Sequence, residues 1–286
     1  MKIILIGASG QLGSDLRRIL ASEELIPLTH QDIEIADYPQ VVEMLKKYQP
    51  DIVINTAAYH RVDECEDNVL KAFQVNAFGA RNVALACKAI DAMMVHMSTD
   101  YVFDGGKREP YLESDTPNPI NAYGISKLAG EYFIRYLLPE HLIIRTSGLF
   151  GIAGSSGKGG NFIELMLKLA RERNEIKVVD DQILSPTYTV DLAGKIKELL
   201  GTGFYGTCHM TSSGLCSWYE FAKAIFEFCS LQVSLKRTTT EEFGAKANRP
   251  RYSVLRSNVL SRLGLGELRP WPEALKAYLK ERSEAR

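Results

Sequence analysis

Short apolar runs alternate along this chain with stretches whose apolar residues recur every three to four positions, and that alternation sets the expected fold. Residues 2–6 (KIILI) read as a buried strand, followed by Leu12, Leu16, Ile19 and Leu20 at helical spacing. Residues 25–28 are a second strand, 38–48 a helix with Val41, Val42 and Leu45 on one face, and 51–55 a third strand. A long helix is expected over 73–90, a strand over 93–99, a helix over 121–137 and a strand over 142–145. Repeated strand–helix units of this length predict the α/β class with a doubly wound parallel, Rossmann-type sheet and a smaller C-terminal substrate-binding lobe. The division expected is 1–147 for the dinucleotide-type domain, rejoined by 177–203 and 236–256, with 148–176, 204–235 and 257–286 forming the lobe. Helices are expected there over 161–170, 218–228 and 271–279. The glycine-rich run 151–160 marks the first boundary and is no phosphate loop of the Walker type, because Gly157-Lys158 is followed by Gly159 rather than Ser or Thr.

Between the first strand and the first helix lies Gly7-Ala8-Ser9-Gly10-Gln11-Leu12-Gly13. Glycines let the backbone approach a pyrophosphate, and the helix N-terminus offers free N–H groups and the positive end of its dipole. Gly7, Ser9, Gly10, Gln11, Leu12 and Gly13 are therefore the expected cofactor-binding turn. A site that prefers NAD carries a carboxylate at the end of the second strand for the ribose hydroxyls. Here that position is Thr29 or His30, so NADPH is the expected cofactor, with NADH also accepted; Asp32 folding back onto the strand end would change the balance.

Tyr123 and Lys127 stand four residues apart on the expected 121–137 helix and share one face. The ammonium is expected to stabilise the phenolate, lower a phenol pKa that is ordinarily about 10, and make Tyr123 a proton donor. Ser98 and Thr99 end the preceding strand, where ligands of parallel sheets sit. A second Tyr-x-x-x-Lys, Tyr219 and Lys223, falls inside the amphipathic 218–228 helix and reads as a chance pair.

Composition narrows the setting. A formal net charge of -1 over 286 residues gives no electrostatic reason to expect nucleic acid. Five cysteines without Cys-x-x-Cys spacing read as reduced thiols, and no metal cluster is expected. No apolar run approaches a membrane span or a signal peptide, so the expected location is the cytoplasm.

The turn GASGQLG, the run Asn55-Thr56-Ala57-Ala58-Tyr59, the block Ser98-Thr99-Asp100-Tyr101-Val102-Phe103-Asp104-Gly105 and the Tyr123 helix with Ser126-Lys127-Leu128-Ala129-Gly130-Glu131 resemble the extended short-chain dehydrogenase/reductases. With Arg145-Thr146-Ser147, Asn161-Phe162, Asp181-Gln182, Ser185-Pro186-Thr187 and Arg249-Pro250, the whole chain is most similar to the dTDP-4-dehydrorhamnose reductase family. The resemblance implies reduction of a dTDP-4-keto-6-deoxy-L-sugar by NAD(P)H. Tyr123 would be the proton donor, Lys127 its partner toward the nicotinamide ribose, and Thr99 the hydroxyl on the ketone. It adds Asp37, Ala57, Ala58 and Tyr59 to the cofactor site and places Ser98, Thr99, Asp100, Tyr101, Gly148 and Asn161 toward the sugar. Asp37 is also an ordinary N-cap for the 38–48 helix. Two departures touch the substrate: Gly148 stands where relatives have tryptophan, and His60-Arg61 replace small residues, either to reach a diphosphate or as solvated loop residues. The expected partner is a nucleotide sugar, with a homodimer as the oligomeric option. Alternatives are a reductase or epimerase for another nucleotide sugar, or a non-catalytic regulatory subunit like that of methionine adenosyltransferase.

Overall fold

A computed structural model describes residues 1–154 and 160–284, so the Gly157-Lys158-Gly159 reading lies outside the described residues. The apolar runs assemble into a six-stranded sheet, parallel throughout. Five of its strands are β1 (Lys2–Ile6), β2 (Glu24–Leu28), β3 (Ile52–Asn55), β4 (Met93–Thr99) and β5 (His141–Thr146). They lie in the order β2-β1-β3-β4-β5, with Gly206–His209 outside β5. From β1 the chain winds first to β2 on one side and then to β3 on the other. That reversal opens a crevice at the C-terminal ends of β1 and β3, where the glycine turn sits.

Helices cover both faces. On one, α1 (Gln11–Ile19) and the helix Thr189–Leu200 pack Leu12, Leu16, Leu192 and Ile196 against the sheet. On the other lie α2 (Tyr38–Tyr48), the short helices α3 (Val62–Asp67) and α4 (Val69–Phe73), then α5 (Ala80–Ala89) and α6 (Ala122–Leu137). Val41, Leu45, Val83 and Ile134 fill that face. Each such aliphatic side chain, fully buried, contributes about 1.5–3 kcal/mol. The helix expected over 73–90 runs from α4 into α5 through a π-helical segment, Gln74–Gly79. It swings Asn76 out to donate to Tyr59 O and Ser126 Oγ, both at 3.0 Å.

A third core, around Phe150, Ile163, Phe221, Ile225, Leu275 and Tyr278, gathers the helices Phe162–Glu172, Trp218–Phe228 and Trp271–Glu284. Two placements differ from expectation. Lys177–Val179 was expected beside the main sheet, but Glu175–Val179 pairs in parallel with Ser234–Thr238 in a separate two-stranded sheet within this lobe. Its alternation of exposed Glu175 and Lys177 with buried Ile176 and Val178 suits a strand wet on one face, which a sheet between two helical layers cannot accommodate. Conversely Gly206–His209, expected in the lobe, closes the main sheet against β5, and Val259 and Leu260 of the helix Asn258–Arg262 pack into the first core. The strand is four residues long and half polar, which hid it. Among the described residues no helix is long and apolar enough to cross a membrane.

Candidate active site

The glycine turn is stitched to the end of β2, where Leu28 O accepts from Gly7 N at 2.9 Å and Ala8 N at 3.0 Å. Gly7 sits at φ +84, and a Cβ on Gly13 would lie 2.2 Å from Gly7 O, so α1 rides directly on the turn. Gly10 is the N-cap of α1, without a side-chain cap and with no acidic residue in the first turn to neutralise the positive helix end. Ser9 is exposed at the mouth. Leu12 is buried in the core, and Gln11 Oε1 accepts from Gly151 N at 3.0 Å. These two residues therefore face the crevice with backbone N–H groups alone.

At the tip of β2 the structure answers the question left open by Thr29 and His30. Asp32 folds back, accepting from Thr29 N at 2.8 Å and Thr29 Oγ1 at 2.7 Å, which hold its carboxyl below the usual range. A carboxylate thus occupies the strand end after all. His30 is exposed and faces Glu34. Asp37 caps α2, accepting from Gln40 N at 3.2 Å. Beyond β3, Ala57 N donates to Asn55 Oδ1, Tyr59 N to Asn76 Oδ1 and Tyr59 Oη to Glu64 Oε2. Arg61 pairs with Glu64 at 2.5 Å, and His60 Nδ1 lies 3.3 Å from Ala58 O.

The N-terminus of α6 is capped twice, by Asn121 Oδ1 accepting from Gly124 N at 2.7 Å and by Glu66 Oε1 accepting from Ala122 N at 2.8 Å. That fixes Tyr123 in the first turn, beside Thr99 and edge-on to Tyr101, whose ring centroid is 6.0 Å away. Burial raises the Tyr123 phenol, with the Thr99 hydroxyl opposing. Lys127 does not lower the phenol pKa as expected. Its Nζ turns to Met97 O at 2.5 Å and His96 Nε2 at 3.1 Å, and burial brings it down to about 8 while Glu131 pulls the other way. The low dielectric beneath this helix face disfavours both ionised forms.

Ser98 and Thr99 point to opposite faces of β4, as strand geometry requires. Thr99 Oγ1 donates to Asp100 Oδ1 at 3.1 Å and accepts from Tyr101 N. Ser98, expected toward the sugar, instead donates to Glu131 at 2.6 Å. Glu131 is fully buried, yet the two-pronged Arg145 contact holds it below the carboxylate range. Asp100 accepts from Thr99, Ser147 and Ser253, and burial pushes it up to about 6 against those three hydroxyls. Tyr101 is raised by burial and by Asp100, with Arg249 opposing.

Two further positions are corrected. Asn161 is the N-cap of Phe162–Glu172, and its amide donates to Gly151 O and Tyr278 Oη, so its hydrogen bonds are spent on the lobe. Gly148 sits at φ +54, and a Cβ there would come within 2.9 Å of Leu184 Cδ1 and 3.1 Å of Pro186 Cα. A tryptophan at this position meets packed protein rather than a vacant wall of a sugar pocket. Of the second Tyr-x-x-x-Lys, Lys223 is exposed and pairs with Glu227, while Arg237 stacks on Tyr219. His96, Asp63 and Ser253 were not assigned to the site from the sequence, and Arg249 and Ser147 were quoted only within family motifs, without a role. The signal at His96 is an imidazole inside the apolar run 93–97.

A family model described as the RmlD substrate binding domain matches residues 1–284. The spore coat polysaccharide biosynthesis protein SpsK of Bacillus subtilis is 46% identical, covering 99% of both chains. The dTDP-4-dehydrorhamnose reductase of Aggregatibacter actinomycetemcomitans is 35% identical over 96% of this chain and 97% of its own length. Among solved structures, the dTDP-4-dehydrorhamnose reductase of Bacillus anthracis in complex with NADP superposes with a TM-score of 0.93 at 42% identity, covering 98% of this chain and 100% of that one.

Proposed function

This chain belongs to the RmlD substrate binding domain family, and on that premise we propose that it is an NAD(P)H-dependent oxidoreductase reducing dTDP-4-dehydro-β-L-rhamnose to dTDP-L-rhamnose. The observation that carries the reading is the meeting of Thr99 and Tyr123 at the end of β4, on the same sheet edge as the open, side-chain-free N-terminus of α1. The crevice fits a dinucleotide. A Cβ on Gly10 would meet nothing closer than Gly7 O at 3.4 Å, and the α1 amides face a space that a pyrophosphate can enter. Asp32 at the tip of β2 supports acceptance of NADH beside NADPH, since a carboxylate there suits unphosphorylated ribose hydroxyls.

When bound, the reduced nicotinamide supplies the hydride. Tyr123 protonates the carbonyl oxygen; a phenol raised by burial is fully protonated at neutral pH, the state a general acid needs. The Thr99 hydroxyl, whose one proton rests on Asp100 in the free site, turns it to the developing alkoxide. Lys127, a turn below, restores the proton that Tyr123 gives up. Tyr101 stands beside the reacting centre and would meet the sugar, while Asp100, expected there too, is buried with its oxygens taken by the Thr99, Ser147 and Ser253 hydroxyls.

The test is oxidation of NADPH by the purified protein with dTDP-4-dehydro-L-rhamnose, set against dTDP-4-dehydro-6-deoxy-D-glucose and UDP-linked 4-ketosugars. The rhamnose precursor is expected to turn over with the highest kcat/KM. Tyr123→Phe is expected to lose roughly a hundredfold or more in kcat with NADPH binding retained, the scale of general-acid catalysis. Preference for another sugar, or full activity of Tyr123→Phe, removes the assignment.

A further inference from the structure

His96 is 1% exposed in the middle of β4, and the reaction as derived gives it no task. Its Nδ1 lies 3.4 Å from Asn55 Nδ2, and its Nε2 lies 3.1 Å from Lys127 Nζ. The Asn55 amide is oriented from its other end, because Oδ1 accepts from Ala57 N at 3.0 Å. An amide nitrogen only donates, so Nδ1 of the ring is an acceptor. Burial keeps the imidazole neutral, and a neutral imidazole carries a single proton. That proton is therefore on Nε2, aimed at Lys127. Facing an ammonium, an Nε2–H sets donor against donor; facing an amine, it makes a hydrogen bond, while the amine's own N–H goes to Met97 O.

We propose that His96 is a positioning residue of the reduction: held by Asn55 as its Nε2–H tautomer, it favours the amine form of Lys127 and so makes the Lys127 ammonium a ready proton source for Tyr123. The proposal rests on the reductase reading above. Its proton balance is simple. The Lys127 ammonium gives one proton to the Tyr123 phenolate left by substrate protonation, becomes the amine that His96 holds, and regains a proton from water. The groups facing Lys127 are His96 and the Met97 carbonyl from β4, Glu131 from α6 itself and, behind the ring, Asn55 from β3, with Tyr123 one turn earlier on α6. Glu131 favours the ammonium, but Arg145 from β5 and Arg135 already claim its carboxylate. Burial lowers Lys127 in the same direction as the donor ring.

The experiment uses the intact, cofactor-free protein with labelled histidine and lysine. Nitrogen NMR of His96 is expected to report the Nε2–H tautomer, and the Lys127 resonance, assigned by its loss in Lys127→Arg, to titrate near neutral pH. His96→Gln, whose amide oxygen can accept from an ammonium, is expected to move that titration up by a pH unit or more. Asn55→Ser, which keeps the ring but releases its Nδ1, is expected to move it in the same direction. An Nδ1–H tautomer in the unsubstituted protein, or a Lys127 titration unmoved in either folded variant, overturns the proposal. The tautomer is read without any variant, so a failure of His96→Gln to fold leaves the test intact. No substrate or cofactor enters these measurements, so loss of the reductase reading would show separately, as absence of NADPH oxidation in a protein that passes them.

Discussion

Asp100 shows how burial at the end of β4 changes what a carboxylate does. Three hydroxyls solvate it, yet its pKa stands at about 6, above the usual carboxylate value near 3.9. A carboxyl raised in the folded state stabilises the fold least when ionised. Its favourable contribution is complete below about pH 4 and is lost as pH rises through 6, a cost on the order of 3 kcal/mol at neutral pH. Asp100→Asn is accordingly expected to gain stability relative to the parent as pH is raised from 4 to 7.5, read as Tm by calorimetry. Its kcat is expected to fall, because the Thr99 hydroxyl loses an ionised acceptor. Gly148 gives a second prediction at this scale. Gly148→Trp forces a bulky residue to φ +54 against Leu184 and Pro186, so it is expected to lower Tm and kcat/KM together rather than to rebuild a sugar-binding wall. Thermal melts with steady-state kinetics on the same preparation check both.

At the scale of elements, the turn between β1 and α1 divides its glycines between two tasks. Gly13 lets the helix touch the turn, and a Cβ there would lie 2.2 Å from Gly7 O and 2.9 Å from Ala8 Cα. Gly10 has room on the protein side and faces the crevice. Gly13→Ala is therefore expected to destabilise the fold, and Gly10→Val to fold while losing at least tenfold in NADPH affinity, since its side chain obstructs the approach to the helix amides. Chemical denaturation and titration calorimetry separate the two effects. Unchanged NADPH affinity in folded Gly10→Val removes the dinucleotide assignment from this turn.

Across the whole molecule, residues 246–253 clasp the sheet domain from above the site. Arg249 grips Asp63 of α3 at 3.1 and 2.7 Å, Lys246 pairs with Asp67, and Asn121 Nδ2 donates to Asn248 O at 2.8 Å. The same Arg249 braces Tyr101, and Ser253 donates to Asp100, so the clasp fixes both residues beside the reacting centre. Arg249→Met is expected to raise KM for the sugar nucleotide severalfold to about tenfold, the scale of a charge-assisted, two-pronged contact, with a smaller change in NADPH Kd. Steady-state kinetics at saturating NADPH, with cofactor binding measured alone, tests this. An equal loss in both would mean that the clasp supports the domain rather than the sugar site.

Local rules determined a large part of this protein. Unbroken apolar runs marked the strands β1 to β5 and period-3.6 patterns the helices α1, α2 and α6, because a sheet between two helical layers demands uninterrupted apolar strands and one-sided helices. Glycines at a strand–helix junction and a Tyr-x-x-x-Lys on a helix face are likewise local, and so both were legible. Partners distant in sequence were decided only by the tertiary structure. The edge strand Gly206–His209 is too short and polar to announce itself, and Glu175–Val179 found its neighbour in a strand some sixty residues on. Asn161 and Ser98 matched a family pattern, but whether they face a ligand or a helix depends on elements that arrive later in the chain. Ionisation belongs to the same class. The phenol of Tyr123, the ammonium of Lys127 and the carboxyl of Asp100 take their proton affinities from burial and from Thr99, Glu131, Ser147 and Ser253, and neither burial nor those contacts exist until the sheet, the helices and the clasp have closed around them.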